Sequence, residues 1–316
     1  MNNKEISLVV FAAGMGTRFG GLKQIAEVGP HGECLLDYTL YDAKQAGFTK
    51  IIFIIQRVFE EAFKAKVVTP WEPHFNIELV YQSTQDLPEA YLNSFLERKS
   101  PWGTSHALWV AKSAIKEPFA IINADDFYGR QALAQVAEFL LTQLDPNKAL
   151  IVAYQLEQTL SEQGTVNRGV CGLSKQGELI SIDEHTGIKM DKETQVISGL
   201  SSFHSNSQEL DKQTLVSMNL WGFHQDFMQY VDEKISDFWQ QLTQEEESLQ
   251  LKQECYLPSL VTQAITEGEL HCQVQVTQSL WMGMTYAEDL VMIKTKLQSM
   301  VDKGDYPQSL PHVHGL

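Results

Sequence analysis

Cationic residues are scarce in this chain, where 24 lysines and arginines face 40 acidic residues and leave a net charge of −16. This balance argues against binding to nucleic acid or to an anionic membrane, because both need a basic face. Long apolar runs are also missing, and the longest have only the length of a β-strand, so no segment is expected to span a bilayer. The N-terminus is polar and does not resemble a signal peptide, so a cytoplasmic location is expected.

Cysteines are few and widely spread. The chain has 4 of them, and no two form a C-x-x-C pair. This spacing favours free or buried thiols in a reducing compartment over metal ligands. The 316 residues are enough to bury a substantial core, and 43% hydrophobic residues are typical of a globular protein.

The first informative segment is LVVFAAGMGTRFGGLKQ, residues 8–24. An apolar strand ends in a turn of small residues, whose backbone N–H groups are open to a phosphate. Arg18 and Lys23 follow, and both can make charge-assisted contacts with phosphate oxygens. The segment therefore predicts a polyphosphate-binding loop. Since the chain is strongly acidic, a divalent cation is also expected, to offset the charge of a bound triphosphate.

Two familiar glycine-rich loops do not fit this segment. A P-loop needs Ser or Thr after its lysine, whereas Lys23 is followed by Gln24. The dinucleotide-binding pattern needs a third glycine where Phe19 stands, which argues against an oxidoreductase with a nicotinamide cofactor. The string AAGMGTRFG with its trailing lysine instead resembles the signature loop of the sugar-phosphate nucleotidyltransferases (NDP-sugar pyrophosphorylases).

Further motifs of that family follow in the same order. Tyr81-Gln82 resembles its glutamine segment, and GTSHAL at 103–108 resembles its base-binding turn. Asp125, within FAIINADDFYG at 119–129, matches its metal-binding aspartate. The second half resembles the family more weakly, through short segments at 167–170, 182–184 and 281–290.

Apolar runs and helical patterns alternate through the first half, which predicts a parallel sheet with right-handed crossovers. The resemblance implies an α/β fold with a Rossmann-like mixed, mainly parallel sheet flanked by helices, of the GT-A-like type. Strands are expected at 8–11, 51–55, 77–81, 119–122, 151–156, 177–182, 216–223 and 273–276. Helices are expected at 35–46, 59–66, 105–114, 131–144, 226–242, 258–267 and 289–300.

A single nucleotidyltransferase domain is predicted over residues 1–290. Its nucleotide-binding half covers 1–150 and its acceptor-binding half covers 151–290, with a C-terminal helix and tail at 291–316. The Ser-, Gln- and Asn-rich stretch 193–211 is expected to be an exposed loop or hairpin. Residues 84–101 are a longer insertion than the family spacing, and we expect a lid or a partner surface there.

The resemblance assigns roles to residues of the first half. Arg18, Lys23 and Asp125 are the expected catalytic residues, with Asp125 holding Mg²⁺ and Asp126 the weaker candidate ligand. His106 is equally compatible with no chemical role. The remaining expected nucleotide contacts lie in the loop and at the base site: Ala13, Gly14, Gly16, Thr17, Gln82, Gly103 and Thr104.

The acceptor site is expected in the second half, where the chain departs from the family pattern. Its candidate residues are Arg168, Glu184, Lys189 and Asn219. Relatives often have Glu-Lys where this chain has Glu184-His185, so the phosphate-binding cation is either Lys189 or Arg168. In the segment WMGMTYAEDL, Gly283 stands where the family has a second metal-binding aspartate, and Glu288 and Asp289 are nearby alternatives.

Together these features predict a Mg²⁺-dependent enzyme that couples a nucleoside triphosphate to a sugar 1-phosphate and releases pyrophosphate. UTP is favoured, because Gln82 can offer a donor and an acceptor to a pyrimidine. Two alternatives stay open: a non-sugar alcohol phosphate as acceptor, and a catalytically weak nucleotide-binding regulatory protein. The expected partners are the nucleotide and the phosphorylated acceptor, with a homo-oligomer possible.

Overall fold

The structure is a computed structural model that describes residues 5–14, 23–143, 145–284, 286 and 288–310. The strands are β1 (Ser7–Phe11), β2 (Lys50–Ile55), β3 (Asn76–Tyr81), β4 (Phe119–Asn123), β5 (Asp126–Phe127), β6 (Lys148–Gln155), β7 (Val166–Leu173), β8 (Leu179–Met190), β9 (Ile197–Ser201), β10 (Ser207–Leu210), β11 (Leu215–Phe223), β12 (His271–Val276) and β13 (Met282–Gly283).

The α-helices are α1 (Leu35–Ala46), α2 (Glu60–Phe63), α3 (Thr69–Trp71), α4 (Glu89–Leu92), α5 (Thr104–Val110), α6 (Arg130–Thr142), α7 (Phe227–Leu242), α8 (Glu247–Gln250), α9 (Leu257–Glu267) and α10 (Asp289–Asp302). Short 3₁₀ turns lie at Lys23–Ile25, Arg57–Phe59 and Leu156–Thr159, and a π-helical turn joins α2 to α3 at Lys64–Val68.

The described residues form an eleven-stranded sheet in the order β10-β9-β8-β12-β6-β11-β4-β1-β2-β3, with β7 paired to β8 and β11. Strands β3, β2, β1 and β4 are parallel neighbours, while β11 runs antiparallel between β4 and β6. The sheet is mixed and flanked by helices, as the family resemblance implies, but it is not mainly parallel: among the described strands four of its pairs are parallel and seven are antiparallel. Its four parallel strands all end at one edge, so the residues that follow them meet there.

Strands β1, β2 and β4 are buried on both faces, because helices cover both sides of the sheet, whereas the edge strand β3 is only partly buried. In β2, Ile51 and Phe53 belong to one buried cluster with α1 and α6, whereas Ile52 and Ile54 belong to another with α5, α7 and α9. These continuous apolar runs explain why the sequence locates the strands of the first half to within about a residue.

The second half contains strands that the sequence does not predict. Strand β7 was not expected, and β8 continues to Met190, well past the predicted end at Ile182. The stretch expected as a loop or hairpin forms the antiparallel pair β9–β10. Strands from both halves share one sheet, and the predicted division at 150 and 290 stays a prediction.

Helix α10 and the residues after it pack against the nucleotide-binding half. Ile293, Leu297 and Tyr306 form a buried cluster with Leu35 of α1 and Phe127 of β5. In the part of the chain that the structure describes, no helix combines the length and apolar character needed to cross a membrane. All four cysteines are free thiols.

Candidate active site

A cavity of about 800 Å³ lies where the four parallel strands end. Each strand contributes residues that lie shortly after its last position, as expected when parallel strands end at the same edge. These residues are Ala13 and Gly14 after β1, Gln56 and Arg57 after β2, Gln82 and Ser83 after β3, and Asp125 after β4.

Lys23 and Asp125 face each other in this cavity. The Lys23 ammonium forms an ion pair with the Asp125 carboxylate, and these side chains keep 20% and 21% of their surface exposed. Lys23 Nζ also donates to the backbone oxygen of Met284 at 3.3 Å. The predicted catalytic cation and acid, 102 residues apart in sequence, are therefore direct neighbours.

The first residues of the predicted phosphate loop are held by two glutamine amides. Gln56 Nε2 donates to the backbone oxygen of Ala13 at 2.7 Å, and the buried Gln24 donates to that of Gly14 at 2.6 Å. Ala13 and Gly14 thus line the cavity with a fixed backbone. Gly16, Thr17 and Arg18 lie outside the described residues.

Gly103 and Thr104 lie at the start of α5. Gly103 has a φ of 94°, and a Cβ there would run into the backbone oxygen of Cys255, so the position requires glycine. The Thr104 hydroxyl accepts a hydrogen bond from the Leu257 amide at 2.8 Å, at the start of α9. Both residues line the cavity, and both also anchor α5 to the second half of the chain.

Gln82 lines the same cavity, and its side chain is hydrogen-bonded to His106. Its Nε2 lies 3.0 Å from Nδ1 of His106, whose Nε2 lies 2.8 Å from the backbone oxygen of Asp86. The His106 side chain is fully buried, and this burial lowers its pKa to about 4. The sequence alone did not reveal this contact.

The insertion at 84–101 packs against α8 and the segment after it, and part of it lines the cavity. The expected lid or partner surface stays a prediction. Arg98 is 2% exposed, stacks 3.7 Å from the centre of the Trp102 ring and donates to the backbone oxygens of Gln250 and Gln253 at 2.7 Å each. From this segment Lys99 lines the cavity. Lys99 and Arg57 are two cations that sequence reasoning missed; the position of Arg57 just after a parallel strand was the available signal.

The four predicted acceptor residues do not line this cavity within the described part of the chain. Arg168 on β7 is buried, its guanidinium donates to Thr159 and to the Asn167 backbone oxygen, and burial lowers its pKa to about 10. Glu184 and Lys189 lie exposed on β8.

Asn219 lies just behind the cavity wall. Its side chain sits 3.5 Å from Oδ1 of Asn123, which does line the cavity, and its φ of 60° places it in the left-handed region. Asn219 is therefore in direct contact with a residue that lines the cavity.

The acidic residues beside Lys23 fit a hard divalent cation with few protein ligands. The described residues contain no group of three or more His, Cys, Asp or Glu side chains arranged to hold a metal ion. Mg²⁺ is commonly held by one or two carboxylates together with substrate phosphates and water, and the partly exposed carboxylate of Asp125, which lines the cavity, suits that mode.

Gly283 pairs with Asp126 across strands β5 and β13 and has no side chain to offer a metal. A Cβ built at Gly283 would lie 2.7 Å from Oδ1 of Asp126, so the Asp126 carboxylate occupies the space that a side chain at 283 would need. Burial and the neighbouring Asp125 raise the pKa of Asp126, and its Oδ2 accepts a hydrogen bond from Asn123 at 2.9 Å.

The fold and this edge of the sheet define a nucleotidyltransferase. The model of the nucleotidyl transferase family matches residues 7–282, and the chain belongs to that family. No curated protein sequence matches it significantly.

Many solved structures share the fold, and two of them serve as examples. One is a Bacillus anthracis protein assigned as a glucose-1-phosphate thymidylyltransferase, in complex with a sucrose, with 12% identity and a TM-score of 0.61 over 93% of this chain and 95% of that one. The other is the inositol-1-phosphate CTP transferase from T. maritima, with 12% identity and a TM-score of 0.57 over 94% of this chain and 98% of that one.

Proposed function

We propose that this nucleotidyltransferase couples a nucleoside triphosphate, with UTP favoured, to a sugar 1-phosphate in a Mg²⁺-dependent reaction. The observation that carries the proposal is the pairing of Lys23 with Asp125 in a cavity that also contains Gln82 and Gly103. Such a site has a cation for phosphate oxygens, an acid for a metal and an amide for a base.

In the proposed reaction an oxygen of the acceptor phosphate attacks the α-phosphorus. The bond between the α-phosphorus and the bridging oxygen to the β-phosphate breaks, and pyrophosphate leaves with that electron pair. Positioning and charge neutralisation carry most of the catalysis in phosphoryl transfer. Lys23 would donate to an α-phosphate oxygen and lower the cost of the charge that develops there.

Asp125 would hold Mg²⁺, with Asp126 behind it as a second, more buried carboxylate. When bound, the cation neutralises phosphate charge, which a protein of net charge −16 otherwise repels. Lys23, Arg57 and Lys99 add positive charge around the cavity. By its place in the motif, Arg18 is proposed to contact the leaving pyrophosphate.

Two alternatives have support of their own. The T. maritima neighbour is named for inositol 1-phosphate and CTP, so a polyol phosphate belongs among the candidate acceptors. The missing side chain at Gly283 favours a protein that binds nucleotide with weak turnover. A panel of substrates separates these possibilities.

We expect pyrophosphate release when the full chain is incubated with Mg²⁺, UTP and a sugar 1-phosphate. CTP, TTP, ATP and GTP, each with sugar 1-phosphates and with inositol 1-phosphate, complete the panel. If inositol 1-phosphate is the only acceptor that supports turnover, the acceptor is a polyol phosphate and not a sugar 1-phosphate. Tight UTP binding by calorimetry without turnover across the whole panel would establish the regulatory alternative.

Lys23→Met and Asp125→Asn test the site itself. Each is expected to lower kcat about a hundredfold, because Lys23→Met removes the cation that faces the transition-state charge and Asp125→Asn removes the carboxylate that would hold Mg²⁺. Asp125→Asn should also require more Mg²⁺ for half-maximal rate. Lys175→Met, an exposed lysine in the turn before β8, is the matched control and should keep the wild-type rate. Full activity of both site variants would contradict the proposal.

A further inference from the structure

The side chain of His106 connects the insertion to the proposed base-reading residue. One ring nitrogen faces the Gln82 amide and the other faces the Asp86 carbonyl, at 3.0 and 2.8 Å. The ring is fully buried, 5.8 Å centre to centre from Trp109, with Trp102 and Trp239 also around it. It therefore has little freedom to turn.

The two contacts fix where the proton of His106 lies. A backbone carbonyl only accepts hydrogen bonds, so Nε2 must carry the hydrogen that it donates to Asp86. Burial lowers the pKa of His106 to about 4, and the ring is neutral near pH 7. Nδ1 is then an acceptor, and it can only receive a hydrogen bond from the NH₂ end of the Gln82 amide.

The same logic fixes the amide of Gln82. With its NH₂ turned to His106, the Oε1 oxygen lies at the other end of the amide. Within the described part of the chain, this oxygen receives no hydrogen bond, and Gln82 lines the cavity. A bound base would meet the carbonyl oxygen and the second N–H in one set order.

That order is what distinguishes the two kinds of pyrimidine. At ring positions 3 and 4, uracil and thymine offer a donor and an acceptor, whereas cytosine offers an acceptor and a donor. An amide that can turn by 180° matches both patterns, while a fixed amide in a fixed pose matches one. Locking the amide thus converts a permissive contact into a selective one.

We propose that His106 is the positioning residue that locks the Gln82 amide and thereby sets the choice between uridine- or thymidine-type and cytidine-type triphosphates. This inference rests on the proposed function, since it concerns the base site of the same cavity. It also assigns a role to the insertion, because the backbone carbonyl of Asp86 fixes the tautomer of His106. The Trp102 indole N–H donates to the Thr84 backbone oxygen at 3.0 Å and holds that carbonyl's segment in place.

His106→Phe is the direct test, because it keeps an aromatic ring in the buried site and removes both hydrogen bonds. We expect the ratio of kcat/KM for UTP over CTP, and the ratio of their calorimetric Kd values, to fall at least about tenfold. His106→Asn should retain part of the selectivity, since its Oδ1 branches from Cγ as Nδ1 does. Trp109→Phe, which alters the ring stack without touching Gln82, should keep the wild-type ratio.

An unchanged ratio in a folded His106→Phe variant would overturn the inference, and so would a wild-type protein that accepts UTP and CTP equally. If the Phe variant does not fold, ¹⁵N NMR of histidine-labelled wild-type protein decides. The His106 signal, identified by its loss in His106→Asn, should show protonated Nε2 and bare Nδ1; the opposite tautomer would contradict the lock. If the wild-type protein binds UTP in preference to CTP but turns over neither, the proposed function is wrong, while the role of His106 in selectivity still holds.

Discussion

At the scale of single residues, Gly283 stands where the family pattern has a second metal-binding aspartate, and neighbouring side chains fill the space that this aspartate would need. A Cβ at this position would lie 2.5 Å from the ring of Trp281 and 2.7 Å from Oδ1 of Asp126. Trp281 is itself held, with the Arg168 guanidinium 4.9 Å from its ring centre. Neither neighbour can yield without disturbing buried contacts.

Gly283→Ala is therefore expected to lower the free energy of unfolding by about 1–3 kcal/mol, the usual cost of overpacking. Gly283→Asp should cost more, because it adds a second negative charge beside Asp126. Urea denaturation followed by tryptophan fluorescence measures both. Gly14→Ala is the control, since among the described residues nothing lies within 4 Å of its added Cβ. An unaltered unfolding midpoint in Gly283→Asp would show that the position can hold a side chain after all.

Among single residues, the sequence anticipates those that motifs mark and misses those that depend on packing. Asp125, Lys23, Gln82 and Gly103 all meet in the cavity, as a single site requires. The bond between His106 and Gln82 was not predictable, because a histidine in a helix-start motif gives no sign of what it will face. Which residue faces it is decided by how the strand ends and the insertion pack.

At the scale of elements, one buried arginine ties the insertion to α8 and the residues that follow it. The Arg98 guanidinium donates to the backbone oxygens of Ser100, Pro101, Gln250 and Gln253, with distances of 2.7–3.0 Å. Carbonyl oxygens do not cancel its charge as a carboxylate would, and burial lowers the pKa of Arg98 to about 10. The guanidinium stays protonated at neutral pH and holds both segments together.

Arg98→Met should leave these carbonyl oxygens without donors and lower the free energy of unfolding by about 2–4 kcal/mol. Hydrogen exchange measured by mass spectrometry should quicken across residues 84–101 and 246–255, and less so in β1 and β4. Lys99 is the neighbouring residue and is exposed, so Lys99→Met is the control for the loss of a cation from this segment. Equal exchange in both variants would show that the aromatic contacts of Trp102 suffice.

Elements differ in how well they can be read from the chain. Strands β1, β2 and β4 are buried on both faces, so continuous apolar runs identify them. Strand β7 includes Asn167, Arg168 and two glycines, and in the later part of β8 only His185 and Ile188 are buried. Their pairing with each other and with the rest of the sheet stabilises them, and no local pattern carries that information.

At the scale of the whole molecule, a buried acid joins both ends of the fold. Asp42 on α1 is fully buried, with Arg130 Nε of α6 3.2 Å from its Oδ1 and the Tyr306 hydroxyl donating to its Oδ2. Burial raises the pKa of Asp42 from 3.8 to about 6 despite these two partners. The folded protein thus binds a proton here more tightly than the unfolded chain does.

Stability from this group is complete below pH 3.8 and declines as pH rises through about 6. The shift corresponds to about 3 kcal/mol between those limits. In Asp42→Asn, which cannot ionise, the free energy of unfolding should fall less between pH 4 and pH 7 than in the wild type. Denaturant titrations at pH 4, 5, 6 and 7 measure the difference, and parallel pH profiles would assign the dependence to other groups.

Strand β13 has a consequence for biosynthesis. Residues 282–284 lie beside residues 125–127, with Gly283 opposite Asp126. The Met284 carbonyl accepts a hydrogen bond from the Lys23 ammonium. A ribosome that has not yet reached residue 282 has already synthesised Lys23 and Asp125, but not the strand that braces them. The nascent chain thus holds both members of the ion pair before the segment that supports them exists.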